Sequence, residues 1–204
     1  MKPRKSCLGR VPFPAQLNGV QVTINGRSAP VYYVSPSQVS VIVPYATELS
    51  NAQIQVTNNG AASNMVTTLV KLATPGLFTV PPGGTGYGAI LHTDFSLVTT
   101  DHPALAGETV LVYLTGLGDV SPAVTEGTAA PSNPTANVVA PLGVYFTNTS
   151  GATAGTVSYS GLAPGFAGLY QINVQIPTGL TSGDYHVEVG TPNSYATQAL
   201  IPVR

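Results

Sequence analysis

The chain has 204 residues, long enough for one large domain or two modest ones. Charged residues make up 7% of it, against roughly 25% in an average domain, and the formal net charge is −1. Because 43% of the residues are hydrophobic, the low charge does not indicate a disordered chain. Four of the seven basic residues lie within the first ten, so the remaining chain lacks the basic stripe that nucleic-acid binding requires.

Cys7 is the single cysteine, which excludes an internal disulfide and a thiolate metal cluster. No run approaches the roughly 18 apolar residues of a membrane span, so no membrane span is predicted. The N-terminus also lacks the apolar core of a signal peptide. We therefore expect either an intracellular protein or one whose export signal lies outside this chain.

Residues 1–17 are predicted to be a basic, proline-containing tail. Beyond them, apolar and polar residues alternate with a period of two, and no segment keeps a helical period, which predicts an all-β protein. In the first predicted module, 18–72, the predicted strands are 19–24, 29–34, 38–43, 52–57 and 64–71. The pairs Asn25-Gly26 and Asn59-Gly60 predict type I′ hairpin turns, because both residue types tolerate positive φ.

Residues 73–83 contain prolines near both ends and are predicted to form an extended crossing between modules. The second predicted module spans 73–204, and its predicted strands are 88–92, 96–99, 109–115, 143–147, 154–159, 169–176, 185–189 and 196–203. Short strands at this density match an immunoglobulin-like β-sandwich, which needs roughly seven strands in about 100 residues.

One strand occurs twice, because QVSVIVP at 38–44 returns as QINVQIP at 171–177. The repeat predicts tandem immunoglobulin-like β-sandwiches. The first module has no counterpart of the hydrophobic strand 109–115, so it is predicted to be incomplete. Three explanations stay open: a truncated chain, a groove filled by a strand from a neighbouring chain, and a small open sheet packed on the second domain.

Five motifs follow one another at 73–79, 89–96, 113–118, 159–165 and 168–174. In order and spacing they resemble the Solibacter-type uncharacterised C-terminal domain, and residues 18–72 look like the module that often precedes it. The resemblance implies Ig-like or IPT/TIG-like sandwiches at the C-terminal end of large exported bacterial proteins. It therefore implies an extracellular or cell-surface location, and it implies no activity because the family has none established.

Two imidazoles and two carboxylates lie close together in the sequence, at His92, Asp94, Asp101 and His102. These residue types would suit zinc or another divalent ion. However, Asp94 falls in a predicted hairpin turn and Asp101 and His102 fall in a connection, where such residues occur for backbone reasons. The sequence therefore predicts neither a metal site nor a cofactor.

The sequence predicts no enzyme. It has no Gly-x-Ser-x-Gly motif, and its three histidines come without a buried carboxylate pattern that could complete a triad. Exposed aromatic rings are the better indication of a binding site, because sugar rings stack on flat faces without requiring charge. Of the ten tyrosines, we predict Tyr33, Tyr170 and Tyr195 as binding residues, from their positions on a strand or near turns.

Three functional hypotheses follow. The first is a non-catalytic extracellular structural or adhesion module, the second is a carbohydrate-binding module that uses exposed tyrosines, and the third is a subunit of a strand-exchanged assembly. The predicted partner is accordingly a protein, a glycan or another copy of the chain that pairs with the incomplete first domain.

Overall fold

The structure, a computed structural model, describes residues 5–6, 11–45 and 47–204. Within these ranges the chain forms strands, turns and loops but no helix, which confirms the predicted all-β class. Accordingly, no helix of the described chain is long and apolar enough to cross a membrane. The chain divides into two compact units. Unit 1 holds the described part of Met1–Leu72 with Ser121–Ala136 and Ala163–Gly168, and unit 2 holds Ala73–Val120, Asn137–Leu162 and Leu169–Arg204.

Unit 1 is built from short antiparallel strands. In chain order they are β1 (Lys5–Ser6), β2 (Gln16–Leu17), β3 (Val20–Ile24), β4 (Arg27–Ser28), β5 (Val31–Val34), β6 (Val39–Val41), β7 (Asn51–Asn58), β8 (Ala61–Ala62) and β9 (Val66–Leu69). One sheet has the order β2-β3-β7-β8, with β4 beside β3 and β9 beside β7. The second sheet has the order β1-β5-β6.

The two predicted hairpin turns of unit 1 are confirmed. Asn25 and Gly26, between β3 and β4, have φ values of 50° and 75°. Asn59 and Gly60, between β7 and β8, have φ values of 49° and 86°. A type I′ turn requires positive φ at both central residues, which few residue types adopt at low cost.

The core of unit 1 follows from the alternation along its strands. Val22 and Ile24 of β3 are buried together with Ala29 and Ala52. The partly buried apolar residues that pack against them are Val39, Val41, Ile54, Val56 and Val70. Burying one face of β3 in this way is what the period-two pattern predicts.

Two segments from later in the chain, Ser121–Ala136 and Ala163–Gly168, also belong to unit 1. The Phe13 amide donates a 2.9 Å hydrogen bond to the Gly127 carbonyl, and the Arg27 guanidinium lies 3.1 Å from Oε1 of Glu126. The units are therefore discontinuous in sequence, whereas the predicted modules 18–72 and 73–204 are continuous. The predicted boundaries of the tail and the modules stay predictions.

The remaining strands follow residue 75. They are β10 (Gly76–Leu77), β11 (Gly86–Tyr87), β12 (Ile90–Leu91), β13 (Thr109–Thr115), β14 (Val120–Ser121), β15 (Asn137–Val138), β16 (Gly143–Asn148), β17 (Gly151–Ala154), β18 (Thr156–Leu162), β19 (Tyr170–Gln175), β20 (Gly183–Thr191) and β21 (Ser194–Val203). One sheet has the order β10-β13-β19-β18-β15-β14, with β12 beside β13. The other sheet is five-stranded, with the order β11-β21-β20-β16-β17.

The core of unit 2 lies between its two sheets. A Cβ placed on Gly155 would meet Val174 of β19 at 2.6 Å and Phe146 of β16 at 2.8 Å, so side chains of the two sheets meet at this point. Both residues are fully buried. Along β16 and β20, buried residues alternate with exposed or half-buried ones, so each of these strands turns its other residues to the outer face of the five-stranded sheet.

Two local predictions in unit 2 are wrong. Residues 96–99 form no strand, because they follow the tight turn at Asp94 and pair only through an isolated bridge between Leu91 and Leu97. Residues 73–83 are not only a crossing, since Gly76 and Leu77 pair with β13 as β10.

Candidate functional site

The outer face of the five-stranded sheet in unit 2 carries a row of two paired glycines beside a tyrosine. Gly143 of β16 pairs with Gly190 of β20, and Gly190 pairs with Tyr195 of β21. Directly paired residues in an antiparallel sheet project to the same face. The row therefore presents bare backbone next to one tyrosine.

A second tyrosine reaches this row from the neighbouring position on β16. Three atoms of the Tyr145 ring, Cε2, Oη and Cζ, lie 3.0, 3.2 and 3.4 Å from the position that a Cβ on Gly143 would occupy. The ring thus lies over Gly143, and 39% of the residue stays exposed. One side of the ring is close to the strand backbone, which leaves the other side available for stacking.

Gly190 lies between the two tyrosines on the central strand of the row. No atom lies within 4 Å of the position that a Cβ on Gly190 would take. Tyr195 on the far side of Gly190 is 71% exposed. Glu188, which is half-buried, pairs with Tyr145 and borders the same surface. We call the surface formed by Gly143, Tyr145, Glu188, Gly190 and Tyr195 the tyrosine patch.

A hollow of about 500 Å³ lies further along the same face. It is lined by Thr147, Asn148, Thr149, Asp184, His186 and Leu200. Its hydroxyl, amide, carboxylate and imidazole groups can both donate and accept hydrogen bonds. An aromatic patch beside a hollow that offers both apolar surface and hydrogen-bonding groups suits a ligand with apolar faces and polar edges.

Two hydrogen bonds determine which groups of the hollow donate and which accept. Nδ1 of His186 lies 2.8 Å from the Thr197 carbonyl, and because a carbonyl only accepts, Nδ1 carries the proton. In the neutral ring Nε2 is then an acceptor. The Tyr87 hydroxyl donates to Oδ2 of Asp184 at 3.0 Å, and this hydrogen bond raises the pKa of Tyr87.

The structure gives the three tyrosines predicted to bind different surroundings. Tyr195 lies in the tyrosine patch. Tyr33 lies on β5 of unit 1, where it is half-buried and pairs with Ser40. The expectation of an accessible ring is wrong for Tyr170, which is 6% exposed and donates its hydroxyl to the Gly118 carbonyl. Although a turn precedes β19, the side chain of Tyr170 lies on the buried face of the strand, as that of Ile172 does.

The sequence prediction missed Tyr145, although the sequence contains a signal for it. Val144 and Phe146 are both apolar, and both are buried in β16. A tyrosine between two inward-facing residues of one strand must face outward. Applying the period of two to residues 143–147 would therefore have identified Tyr145 as an outer-face aromatic.

Of the four residues considered as metal ligands, His92 and His102 lie next to each other in a hydrogen-bonded cluster with Glu108. Nδ1 of His92 lies 2.5 Å from Oε1 of Glu108, and Nε2 lies 3.3 Å from the His102 carbonyl. The rings of His92 and His102 have centroids 4.2 Å apart. Both nitrogens of His92 thus face acceptors, which favours the doubly protonated, charged ring.

The pKa of His92 reflects the same surroundings. Burial lowers it, but the hydrogen bond with Glu108 raises it, as do the His102 carbonyl and the charges of Glu108 and Asp94. The net pKa is raised above the ordinary value. The surroundings of this buried histidine therefore favour its charged form.

Asp94 and Asp101 do not join that cluster as ligands. Oδ1 of Asp94 accepts hydrogen bonds from the Ser96 amide at 2.9 Å and the Ser96 hydroxyl at 2.6 Å, as a hairpin-turn residue does. These bonds lower the pKa of Asp94. Asp101 is exposed in the adjoining connection. Among the residues that the structure describes, no three His, Cys, Asp or Glu side chains are grouped to hold a metal ion.

Unit 1 has a separate groove of about 470 Å³. It is lined by Ile24, Asn25, Arg27, Thr47, Glu48, Asn51, Gln53 and Thr67. Arg27 is held in place there, because Nη1 donates to the Tyr45 carbonyl at 2.8 Å while Nη2 faces Glu126. The groove is polar and has no aromatic side chain in its lining.

Comparison with known proteins gives a family for part of the chain. No curated protein matches it. Among solved structures, it is similar to the SGBP-B protein of the Bacteroides ovatus mixed-linkage glucan utilization locus, solved in complex with a mixed-linkage heptasaccharide. The identity is 13% and the TM-score 0.32, over 91% of this chain and 36% of that one, so the chain spans about a third of that protein's length.

Residues 13–73 match the family model of the IPT/TIG domain. The match falls on the first predicted module, which the sequence resemblance had linked to IPT/TIG-like sandwiches. Together with the all-β sheets, it confirms the predicted immunoglobulin-like fold class. The resemblance of 73–204 to the Solibacter-type domain and the tandem arrangement stay predictions. This part of the chain, residues 13–73, is thus similar to an IPT/TIG, immunoglobulin-like domain.

Proposed function

We propose that this chain is a non-catalytic extracellular binding module that holds a glycan on the tyrosine patch of unit 2. The observation that supports this most directly is the placement of Tyr145 and Tyr195 on either side of Gly190. The space above Gly190 is open and both rings are accessible. A sugar ring over the glycine would contact both aromatic side chains.

The chemistry of the face fits a sugar better than an apolar ligand. A pyranose has apolar faces formed by C–H groups and an edge of hydroxyls. The tyrosine rings match the faces, and the polar groups of Thr147, Asn148 and His186 in the hollow match the hydroxyls. Aromatic anchors with a few polar groups are typical of such binding sites.

The proposal of a non-catalytic role rests on the surroundings of His92. It hydrogen-bonds to Glu108, as the histidine of a triad bonds to its carboxylate, but its second nitrogen faces the backbone carbonyl of His102. A triad would require a nucleophilic hydroxyl or thiol at that nitrogen. His92 and Glu108 are better explained as a structural pair.

An extracellular or cell-surface location is part of the proposal. It is supported by the low content of charged residues, with solubility left to hydroxyl and amide side chains, and by the resemblance of 73–204 to a domain of exported proteins. Binding a surface glycan would make the module an adhesion module, which joins the first two sequence hypotheses. Assembly by strand exchange and binding to a protein partner stay predictions.

The test begins with the whole chain on a glycan array, followed by isothermal titration with each oligosaccharide that binds. Tyr195→Ala should weaken binding at least about tenfold, the effect of losing roughly 1.4 kcal/mol at an aromatic anchor. Phe95→Ala is the matched control, because Phe95 is 69% exposed but lies in the turn after β12. An array without any bound glycan, or equal losses for the two variants, would overturn the proposal.

A further inference from the structure

We infer that the tyrosine patch prefers glycans with free amino groups and rejects glycans with carboxylates or sulfates. This inference rests on the proposed function and adds the charge class of the ligand. It depends on where the charged residues of unit 2 lie. This is an observation separate from the family match and from the positions of the tyrosines.

Unit 2 is strongly acidic for a domain with so few charges. Its three segments contain one basic residue, Arg204, and six acidic ones, which gives a formal net charge of −5 with neutral histidines. Arg204 follows the last residue of β21, whereas Tyr195 is near its first residue. At about 3.3 Å per residue the two are roughly 30 Å apart along the strand, well beyond a Debye length of about 8–10 Å. Arg204 therefore cannot attract an anion to the patch.

Glu188 places a negative charge at the patch itself. It pairs directly with Tyr145 across β16 and β20, so the two side chains project to the same face. It is also two residues from Gly190, on the same side of β20. Asp184 is four residues from Glu188 on that side and lines the hollow. A glycan lying along β20 from the patch to the hollow would pass both carboxylates.

The tyrosines favour the same charge class. A cation over a tyrosine ring is attracted by the electron-rich face, and Tyr145 and Tyr195 are both exposed. An ammonium group on a sugar bound over Gly190 would face two such rings and the carboxylate of Glu188. A uronate in its place would face Glu188 and Asp184, and the described strands of this sheet contain no lysine or arginine to offset the repulsion.

The test uses two hexasaccharides that share one backbone, an N-acetylated glucosamine hexamer and its de-N-acetylated form, at a pH where the amines are charged. A galacturonic acid hexamer is the third ligand. Affinities are measured by isothermal titration with the whole chain, with Glu188→Gln and with Asp101→Asn. Glu188→Gln keeps the shape of the side chain, and Asp101→Asn removes an exposed acid of unit 2 outside the tyrosine patch and the hollow.

The amino hexamer should bind about tenfold more tightly than the N-acetylated one, as expected for one charge-assisted contact. Glu188→Gln should bring the two affinities within about threefold of each other and strengthen binding of the galacturonic acid hexamer. Asp101→Asn should keep the preference. Equal affinities in the unmodified chain, a galacturonic acid hexamer that binds as tightly as the amino hexamer, or a preference undiminished by Glu188→Gln would overturn the inference. In that case neutral binding that still depends on Tyr195 would leave the proposed function intact, whereas failure of every array glycan and hexamer to bind would remove both.

Discussion

The ring of Tyr145 lies over Gly143, with Cε2 of the ring 3.0 Å from the position that a Cβ on Gly143 would occupy. A side chain at residue 143 must therefore shift the ring by a few tenths of an ångström. Gly143→Ala should move the Tyr145 ring from its place over residue 143 and weaken glycan binding by about 1 kcal/mol, or roughly fivefold. The free energy of unfolding should change by less than about 1 kcal/mol, because the site is on the surface. Titration and urea unfolding measure the two effects, and unchanged affinity would show that the ring position does not matter.

The pair of His92 and Glu108 predicts a dependence of stability on pH. The pKa of His92 is raised in the folded protein, so its stabilising contribution is complete below the unfolded pKa of about 6.5. That contribution is lost as the pH rises through the folded value. The free energy of unfolding should therefore fall with rising pH above about 6.5, as measured by urea unfolding.

Two variants isolate this effect. His92→Gln should cost about 1.5–3 kcal/mol at low pH, the usual contribution of a hydrogen bond to a charged group, and should flatten the fall above the unfolded pKa. Glu108→Gln removes the carboxylate and should likewise reduce the fall in the free energy of unfolding as the pH rises. A fall that persists unchanged in both variants would assign it to other groups.

The core of unit 2 can be tested at Phe146, which is fully buried between the sheets. Phe146→Ala should lower the free energy of unfolding by about 3–5 kcal/mol, because it removes a large apolar side chain and leaves a cavity. Tyr145→Ala, one residue earlier on the outer face, should cost less than about 1 kcal/mol. Similar costs for the two variants in urea unfolding would contradict the assignment of the two faces of β16.

Gly127 tests whether the segment 121–136 is an integral part of unit 1. Its φ is +78°, and an added Cβ would lie 3.0 Å from Cβ of Pro30 and 3.3 Å from the Phe13 carbonyl oxygen. Gly127→Ala should therefore cost at least about 1–2 kcal/mol, the strain of a left-handed conformation with a side chain. Gly179→Ala is the control, because that glycine has open space around it and no positive φ. Equal effects of the two substitutions on urea unfolding would contradict the packing of Gly127 in unit 1.

Local features of the fold were predictable from the sequence because they depend on neighbouring residues. The Asn-Gly turns are fixed by the φ values that these residue types tolerate, and strand β13 begins and ends at the predicted residues. The membership of 121–136 and 163–168 in unit 1 was not predictable, since it depends on contacts between residues such as Phe13 and Gly127 that are far apart in the sequence.

The candidate site was predictable only in part, for a similar reason. Tyr195 was found as a tyrosine near a turn. Tyr145 could have been found from the alternation along β16, and the same rule would have excluded Tyr170. The open space above Gly190 depends on the pairing of three strands, which a single sequence does not specify.

The substitution Gly190→Leu tests the central claim most directly, because it fills the space between Tyr145 and Tyr195 without altering either ring. The φ of Gly190 lies outside the left-handed region and nothing lies within 4 Å of the new Cβ, so the fold should be retained. With a glycan that binds the unmodified chain, titration should show affinity reduced at least about tenfold, while urea unfolding stays within about 1 kcal/mol. Unchanged affinity in the folded variant would contradict glycan binding at the tyrosine patch.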